Sequence, residues 1–185
     1  MAHVIAGMTV SLDGFVADKD GSVERLYPDF DMLQGSDYMN GLIAETGAVL
    51  MGKQTFDMAG DPDSYADTYE FQVPIFVVTK NPPAIPPKQD GNLTFTFVTD
   101  GIEPAVAQAT AAAGSRAVTV VGGASLIQEL LLAGLVDELD IDVMPVFLGA
   151  GLRLFESPDL ERIQLEKISV REIGARTNVR FRLVK

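Results

Sequence analysis

Four stretches of the chain are apolar and mostly β-branched with little polar interruption: residues 3–10, 48–51, 74–79 and 117–121. That pattern predicts strands covered on both faces by other elements. A second pattern alternates. Residues 93–98 interleave threonine with apolar side chains as a half-buried strand does. Residues 135–143 (LVDELDIDV) run in period two, with carboxylates on one face and aliphatics on the other. Residues 164–173 and 177–184 predict two further strands joined through Gly174, Ala175 and Arg176 into a terminal hairpin, with Arg180 and Arg182 on a solvent face. Helical spacing takes over at three places. Tyr38, Met39, Leu42 and Ile43 share a face after a start capped by Ser36 or Asp37, and residues 103–113 are alanine-rich with Pro104 in the first turn. The third helix follows residues 117–121. Ser125 and Gln128 have capping-box spacing, Leu126, Ile127, Leu130 and Leu131 form the apolar side, and Gly134 ends it.

Between these elements lie the candidates for function. The strand over 117–121 reaches its helix through Gly122 and Gly123, which present bare backbone and the positive end of a helix dipole at one point. Such a point suits phosphate, and it equally suits a plain tight turn. It is neither a P-loop nor a Rossmann fingerprint, because no Gly-Lys-Ser/Thr follows and the G-x-G-x-x-G spacing is missing. Two other strands end similarly: 48–51 in Gly52-Lys53-Gln54-Thr55, and 74–79 in Thr79-Lys80. Residues 57–70 carry five carboxylates and no cation, which predicts an exposed, mobile loop that could act as a lid. Residues 145–155, with Gly149, Gly151 and Arg153, predict a loop or bulge.

Composition narrows the classes. At 185 residues and 47% hydrophobic the chain can close one substantial core, and the prolines at 82, 83, 86 and 87 fit a loop inside a single domain, since neither half has elements enough to fold alone. A net charge of −12 argues against nucleic acid and requires any anionic ligand to be held locally. Without cysteine, and with His3 as the one histidine, a thiolate or histidine zinc site is excluded within one chain. Residues 18–21 (DKDG) lack the spacing of a calcium loop. The carboxylates of 135–143 could form a metal site but fit a solvated strand face better, so no metal is expected. No apolar run approaches the roughly 18 residues of a membrane span, and the first ten residues read as a strand, not a signal peptide; a cytoplasmic protein is expected. Asp13-Gly14 is a turn dipeptide, although a carboxylate there, at the end of a central strand, also lies where open α/β sheets bind ligands.

The segments VLMGKQTFD, IFVVTKNP and VTVVGGASLIQELL, followed by DELDIDVMP, resemble in order and spacing the nucleotide-binding segments of dihydrofolate reductase. SLDGF near the start and PVFLGAGLRLF later are more similar to the reductase domain of the riboflavin-pathway deaminase/reductase and its stand-alone relatives. The resemblance covers nearly the whole chain. It implies a single-domain α/β dihydrofolate reductase-like fold, a mixed, mostly parallel sheet flanked by helices with a C-terminal antiparallel hairpin. It further implies an oxidoreductase that binds NADPH at the carboxyl edge of the strands. The backbone of Gly122, Gly123, Ala124, Ser125 and Leu126 would hold pyrophosphate, Gly52, Lys53 and Thr55 would contact phosphate, and Thr79 and Lys80 would lie near the ribose 2′-phosphate. Asp13 and Asp37 are the implied catalytic candidates. With Phe15, which stands where riboflavin-pathway reductases have a basic residue, they are also the candidates for the substrate. The implied activity is that of a 5-amino-6-(5-phosphoribosylamino)uracil reductase or a relative acting on a small heterocycle; a dihydrofolate or pterin reductase and a non-catalytic NADPH-binding module are the alternatives. Relatives commonly form homodimers, so a homodimer is expected.

Overall fold

The computed structural model describes residues 2–184. An eight-stranded sheet forms the centre of the molecule. Its first strand, β1 (Val4–Ser11), lies in the middle between β6 (Ala117–Val120) and β7 (Glu138–Met144), parallel to both. Outward from β6 follow β3 (Thr46–Gly52), β4 (Ile75–Val78) and β5 (Phe95–Val98), all parallel. On the other side β10 (Arg176–Val184) pairs antiparallel with β7, and β9 (Gln164–Ile173) pairs antiparallel with β10 as the edge. The fold is therefore the α/β dihydrofolate reductase-like architecture with a C-terminal hairpin that the sequence resemblance implied. A short ribbon stands apart, β2 (Phe15–Asp18) against β8 (Gly151–Arg153), so part of the stretch predicted as a loop or bulge is a strand.

Period-two alternation gives the sheet two different faces. One face packs against α5 (Ile102–Ala113) and α6 (Ala124–Leu132), burying Ala6, Leu50, Val118, Val120 and Leu139 with Ile127 and Leu130. The opposite face is closed only at one end. There Val49, Met51, Ile75 and Val77 pack under Phe56, Tyr65 and Phe71. Around them lie the short helices α3 (Lys53–Asp57) and α4 (Ser64–Thr68), with α2 (Asp37–Glu45) beside β3 and the one-turn α1 (Phe30–Leu33) preceding it in the chain. Ser36 caps α2, its hydroxyl accepting from the Met39 N–H at 3.2 Å.

Three sequence expectations change here. Residues 57–70 are not a free loop, because Phe56 stacks on Tyr65 at 5.7 Å between ring centroids and Tyr65 meets Tyr69 edge-on at 4.9 Å, pinning the segment to the core. Lys88 also reaches back to Asp67 at 2.6 Å. The Ser125–Gln128 capping box does not form. Gly123 is the N-cap of α6 and has no side chain to offer, Ser125 is already helical, and Gln128 instead accepts from the Glu156 N–H at 3.4 Å. The carboxylate face of β7 is not solvated either. Asp140 and Asp142 are 8% and 7% exposed, because the neighbouring β10 brings Asn178 opposite Asp142 and Arg180 opposite Asp140.

Candidate active site

The turns after β4, β3 and β6 lie side by side on the sheet's carboxyl edge. Gly52 is in register with Val78, the residue before Thr79, and its N–H donates to the Gly122 carbonyl at 2.8 Å. Gly122, at φ +121°, occupies a conformation L-residues avoid, and a side chain there would stand 2.9 Å from Met8 Cε and 3.2 Å from Thr55 Oγ1. Because Gly123 has no capping side chain, the N–H groups of Ala124, Ser125 and Leu126 open α6 without a side-chain acceptor. Thr55 Oγ1 makes no hydrogen bond among the described residues and lies 3.6 Å from the point where a Cβ on Gly123 would be. Gly52, Thr55, Gly122 and the first turn of α6 thus form one bare, donor-rich cradle. Thr79 is buried beside it, its hydroxyl accepting from the Asn81 N–H at 3.0 Å, and Lys80 is exposed. Lys53 is present as well, but its ammonium is drawn to Asp57 at 2.6 Å.

From this cradle a cavity of about 1350 Å³ extends across the partly open face of the sheet. Gly7, Thr9, Thr119 and Asp140 are part of its floor, Tyr38, Met39 and Leu42 of α2 form one wall, and residues 54–71 supply another. Tyr27, Phe30 and Leu33, from the segment between β2 and α2, line it too. Residues 57–70 therefore bound the cavity, held there by the aromatic contacts.

The floor beyond β1 is a buried ionic network. The Arg176 guanidinium, on a residue 2% exposed, grips Asp29 with two bonds of 2.9 and 2.7 Å and Asp142 with one of 2.7 Å. Burial opposes its charge, yet the bonds to Asp29 and Asp142 outweigh burial and raise its pKa. The same hydrogen bonds hold the Asp29 carboxyl below its usual range. Asp142 also accepts from Tyr38 Oη and Asn178 Nδ2, both at 3.0 Å, and Asn178 donates to Asp140 as well. Burial pushes the Asp140 carboxyl upward and the Tyr38 phenol well upward. Arg180, expected on a solvent face, is bound by Glu45 at 2.7 and 2.9 Å and by Glu138 at 2.7 Å. Arg182 does lie exposed, 3.5 Å from Glu166.

The candidates for catalysis and substrate lie apart from the cavity lining. Asp13 accepts from Ser11 Oγ at 2.6 Å, Gly149 N–H at 2.7 Å and Leu148 N–H at 3.1 Å, so its carboxylate ties the turn after β1 to the 145–150 loop. Phe15 is buried beneath the Arg153 guanidinium, 4.3 Å from its ring centroid. Asp37 is exposed in the first turn of α2, a place that suits an acidic side chain near the positive end of the helix. The hydrogen bonds from Ser11, and then Gly149 and Leu148, lower the Asp13 pKa from 3.8 to about 2. A group with a depressed folded pKa contributes stability that is present above 3.8 and is lost as the pH falls through about 2. Acid titration of stability is therefore expected to lose a component between those values in the wild type and not in Asp13→Asn, a difference that thermal melts across the range will read.

Among the residues the sequence reading overlooked, Arg176 and Asn178 matter most. The signal was a second period-two stripe, 176, 178, 180, 182, facing the acidic stripe 138, 140, 142 across the β7–β10 register.

Comparison with known proteins agrees with this architecture. The chain matches the RibD C-terminal domain family over residues 2–179. It is 29% identical over 184 residues to the uncharacterized protein YyaP of Bacillus subtilis, covering 94% of this chain and 90% of that one. In structure it is similar to a putative riboflavin biosynthesis protein from Shewanella sp. PV-4, with a TM-score of 0.79, 22% identity and full coverage of both chains. It is also similar to dihydrofolate reductase from Enterococcus faecalis, solved with NADP(H), with a TM-score of 0.61, 16% identity and coverage of 99% and 97%.

Proposed function

The chain belongs to the RibD C-terminal domain family, and from that premise we propose that it is an NADPH-dependent reductase of a small heterocyclic substrate. The observation that carries the reading is the donor-rich cradle opening directly into a cavity of about 1350 Å³. Pockets for a single small ligand run to roughly 300–1,000 Å³, so this one has room for the reactive end of a dinucleotide and a second molecule. Bound NADPH supplies a hydride. The chain's part is to bind and orient: the N–H groups of Ala124, Ser125 and Leu126 and the Thr55 hydroxyl would hold phosphate, and Lys80 would meet the ribose 2′-phosphate. Tyr65, Tyr69 and Phe71 keep the 54–71 wall packed and help to exclude water from the floor. Hydride transfer requires little more than this, two rings held face to face in a dry site. Reduction of a phosphoribosylaminouracil is the activity named for riboflavin-pathway relatives, and it is the first member of the substrate panel.

Titration of the protein with NADPH and NADH, followed by nicotinamide fluorescence, tests the proposal. NADPH is expected to bind the more tightly. Lys80→Ala is expected to raise its Kd about five- to tenfold while leaving that of NADH unchanged, the loss of one charge-assisted contact to the 2′-phosphate. Consumption of NADPH with a member of a pterin and ribosylaminopyrimidine panel would complete the case. Absence of NADPH binding at millimolar concentration would end it.

A further inference from the structure

We infer that the substrate end of the cavity selects a heterocycle bearing amino or ring N–H groups and no phosphate, with Asp140 as the residue that reads it. The inference rests on the reductase reading above and narrows it. Seven carboxylates and one guanidinium line the cavity. The guanidinium has nothing left to give: Arg176 is committed to Asp29 and Asp142, with Thr9 Oγ1 at 3.3 Å and the Leu26 carbonyl at 3.5 Å taking its remaining donors. Lys53 and Lys80 lie on the cofactor edge, outside the lining. Of the carboxylates, Glu45, Asp57 and Asp142 are ion-paired, whereas Asp18, Glu24, Glu70 and Asp140 have no ion pair among the described residues.

Asp140 differs from the others that are free. It is 8% exposed, its Oδ1 accepts from Asn178, and its Oδ2 accepts no hydrogen bond from the described residues while the side chain lines the cavity. That oxygen is open to the cavity and free to take a donor from a ligand. A phosphate would enter a compartment of its own charge with no cation to receive it, and like-charge juxtaposition of this kind is a strong discriminator. An N–H-bearing ring instead supplies the donor Asp140 lacks, and Tyr27, Phe30 and Tyr38 offer it flat apolar surface. The two ends of the cavity thus have opposite preferences, anions at the cradle and hydrogen-bond donors at the floor.

The test is calorimetric titration of the full chain, with and without saturating NADPH, using a ribosylaminopyrimidine, its 5′-phosphate, and 2,4-diaminopyrimidine. The unphosphorylated ribosyl compound is expected to bind at least about tenfold more tightly than its phosphate. Asp140→Asn is expected to weaken 2,4-diaminopyrimidine about tenfold and to leave NADPH affinity as it was. Equal or tighter binding of the phosphate by the wild type overturns the inference, as does failure of both ribosyl compounds to bind; the wild-type comparison needs no variant to fold. Loss of discrimination is distinct from failure of the reductase reading, which would appear in the same titrations as absence of NADPH binding.

Discussion

Replacing Arg176 by methionine is expected to destabilise the protein by about 3–5 kcal/mol, the range for removing one partner of a buried ion pair. The residue is buried to within 2% of its surface, and its guanidinium is the counter-charge for both Asp29 and Asp142. Methionine replaces the aliphatic stem and leaves the guanidinium's place empty, so a cavity accounts for the smaller part of the loss. The larger part comes from stranding two carboxylates, one of them beside Asp140 in the Asn178 network. The triple variant R176M/D29N/D142N should recover much of the stability, since an apolar or neutral replacement of the whole cluster removes the uncompensated charge. A pH signature separates this account from simple mispacking. Asp29 has a folded pKa below its ordinary 3.8, so its share of the stability is present above 3.8 and is lost as the pH falls through the lowered folded value. Without Arg176 that share is missing from the start. The gap between wild type and R176M in urea unfolding should therefore be widest near neutral pH and narrow below 3.8; a gap that does not change with pH would refute the electrostatic explanation. Asp29 sits just after Tyr27 and before Phe30, so releasing it should also speed amide exchange in the segment that covers the cavity.

The same network shows how far the sequence could be read. Strands covered on both faces announce themselves as apolar runs, and β1, β3, β4 and β6 were legible for that reason; the glycines at the ends of β3 and β6 marked turns of bare backbone, which a tight turn and a phosphate site equally require. β7 was legible as a strand but misread in its surroundings. A period-two row of carboxylates ordinarily faces water, and only the pairing with β10 supplies the asparagine and arginines that bury it. That pairing joins residues about forty apart, and local pattern cannot encode it. The 57–70 segment failed for a related reason: its five acidic residues dominate the composition, while its fixed position depends on Tyr65 finding Phe56 and Phe95 across the sheet edge. Asp13 and Asp37 stood out as carboxylates at element ends. At such ends a carboxylate has backbone N–H groups or a helix dipole to satisfy; Asp13 binds two backbone N–H groups, and Asp37 stands in the first turn of α2. Asp140 and Tyr38, which do line the cavity, lie inside regular elements, where sequence offers no mark of function.

Gly122→Ala is expected to strike the cradle itself. At φ +121° a side chain incurs strain of about 1–3 kcal/mol wherever it points. Here it points at Met8 Cε, 2.9 Å away, and Thr55 Oγ1, 3.2 Å away. Met8 can swing aside, being flexible at its tip, but doing so moves it within the cavity it lines. Thr55 cannot yield without shifting α3, whose next residue, Phe56, anchors the aromatic cluster. The strained turn also carries the carbonyl that receives the Gly52 N–H, so two of the three strand ends move together. The expected result is a melting temperature several degrees lower and a Kd for NADPH raised at least about tenfold. Thr55→Val is the companion measurement. It keeps the shape, removes a hydroxyl that bonds nothing else among the described residues, and should weaken NADPH severalfold with the melting temperature almost unchanged. If Gly122→Ala binds NADPH like the wild type, phosphate is not held at this turn. If Thr55→Val lowers stability as much as affinity, the hydroxyl serves the fold and not the ligand.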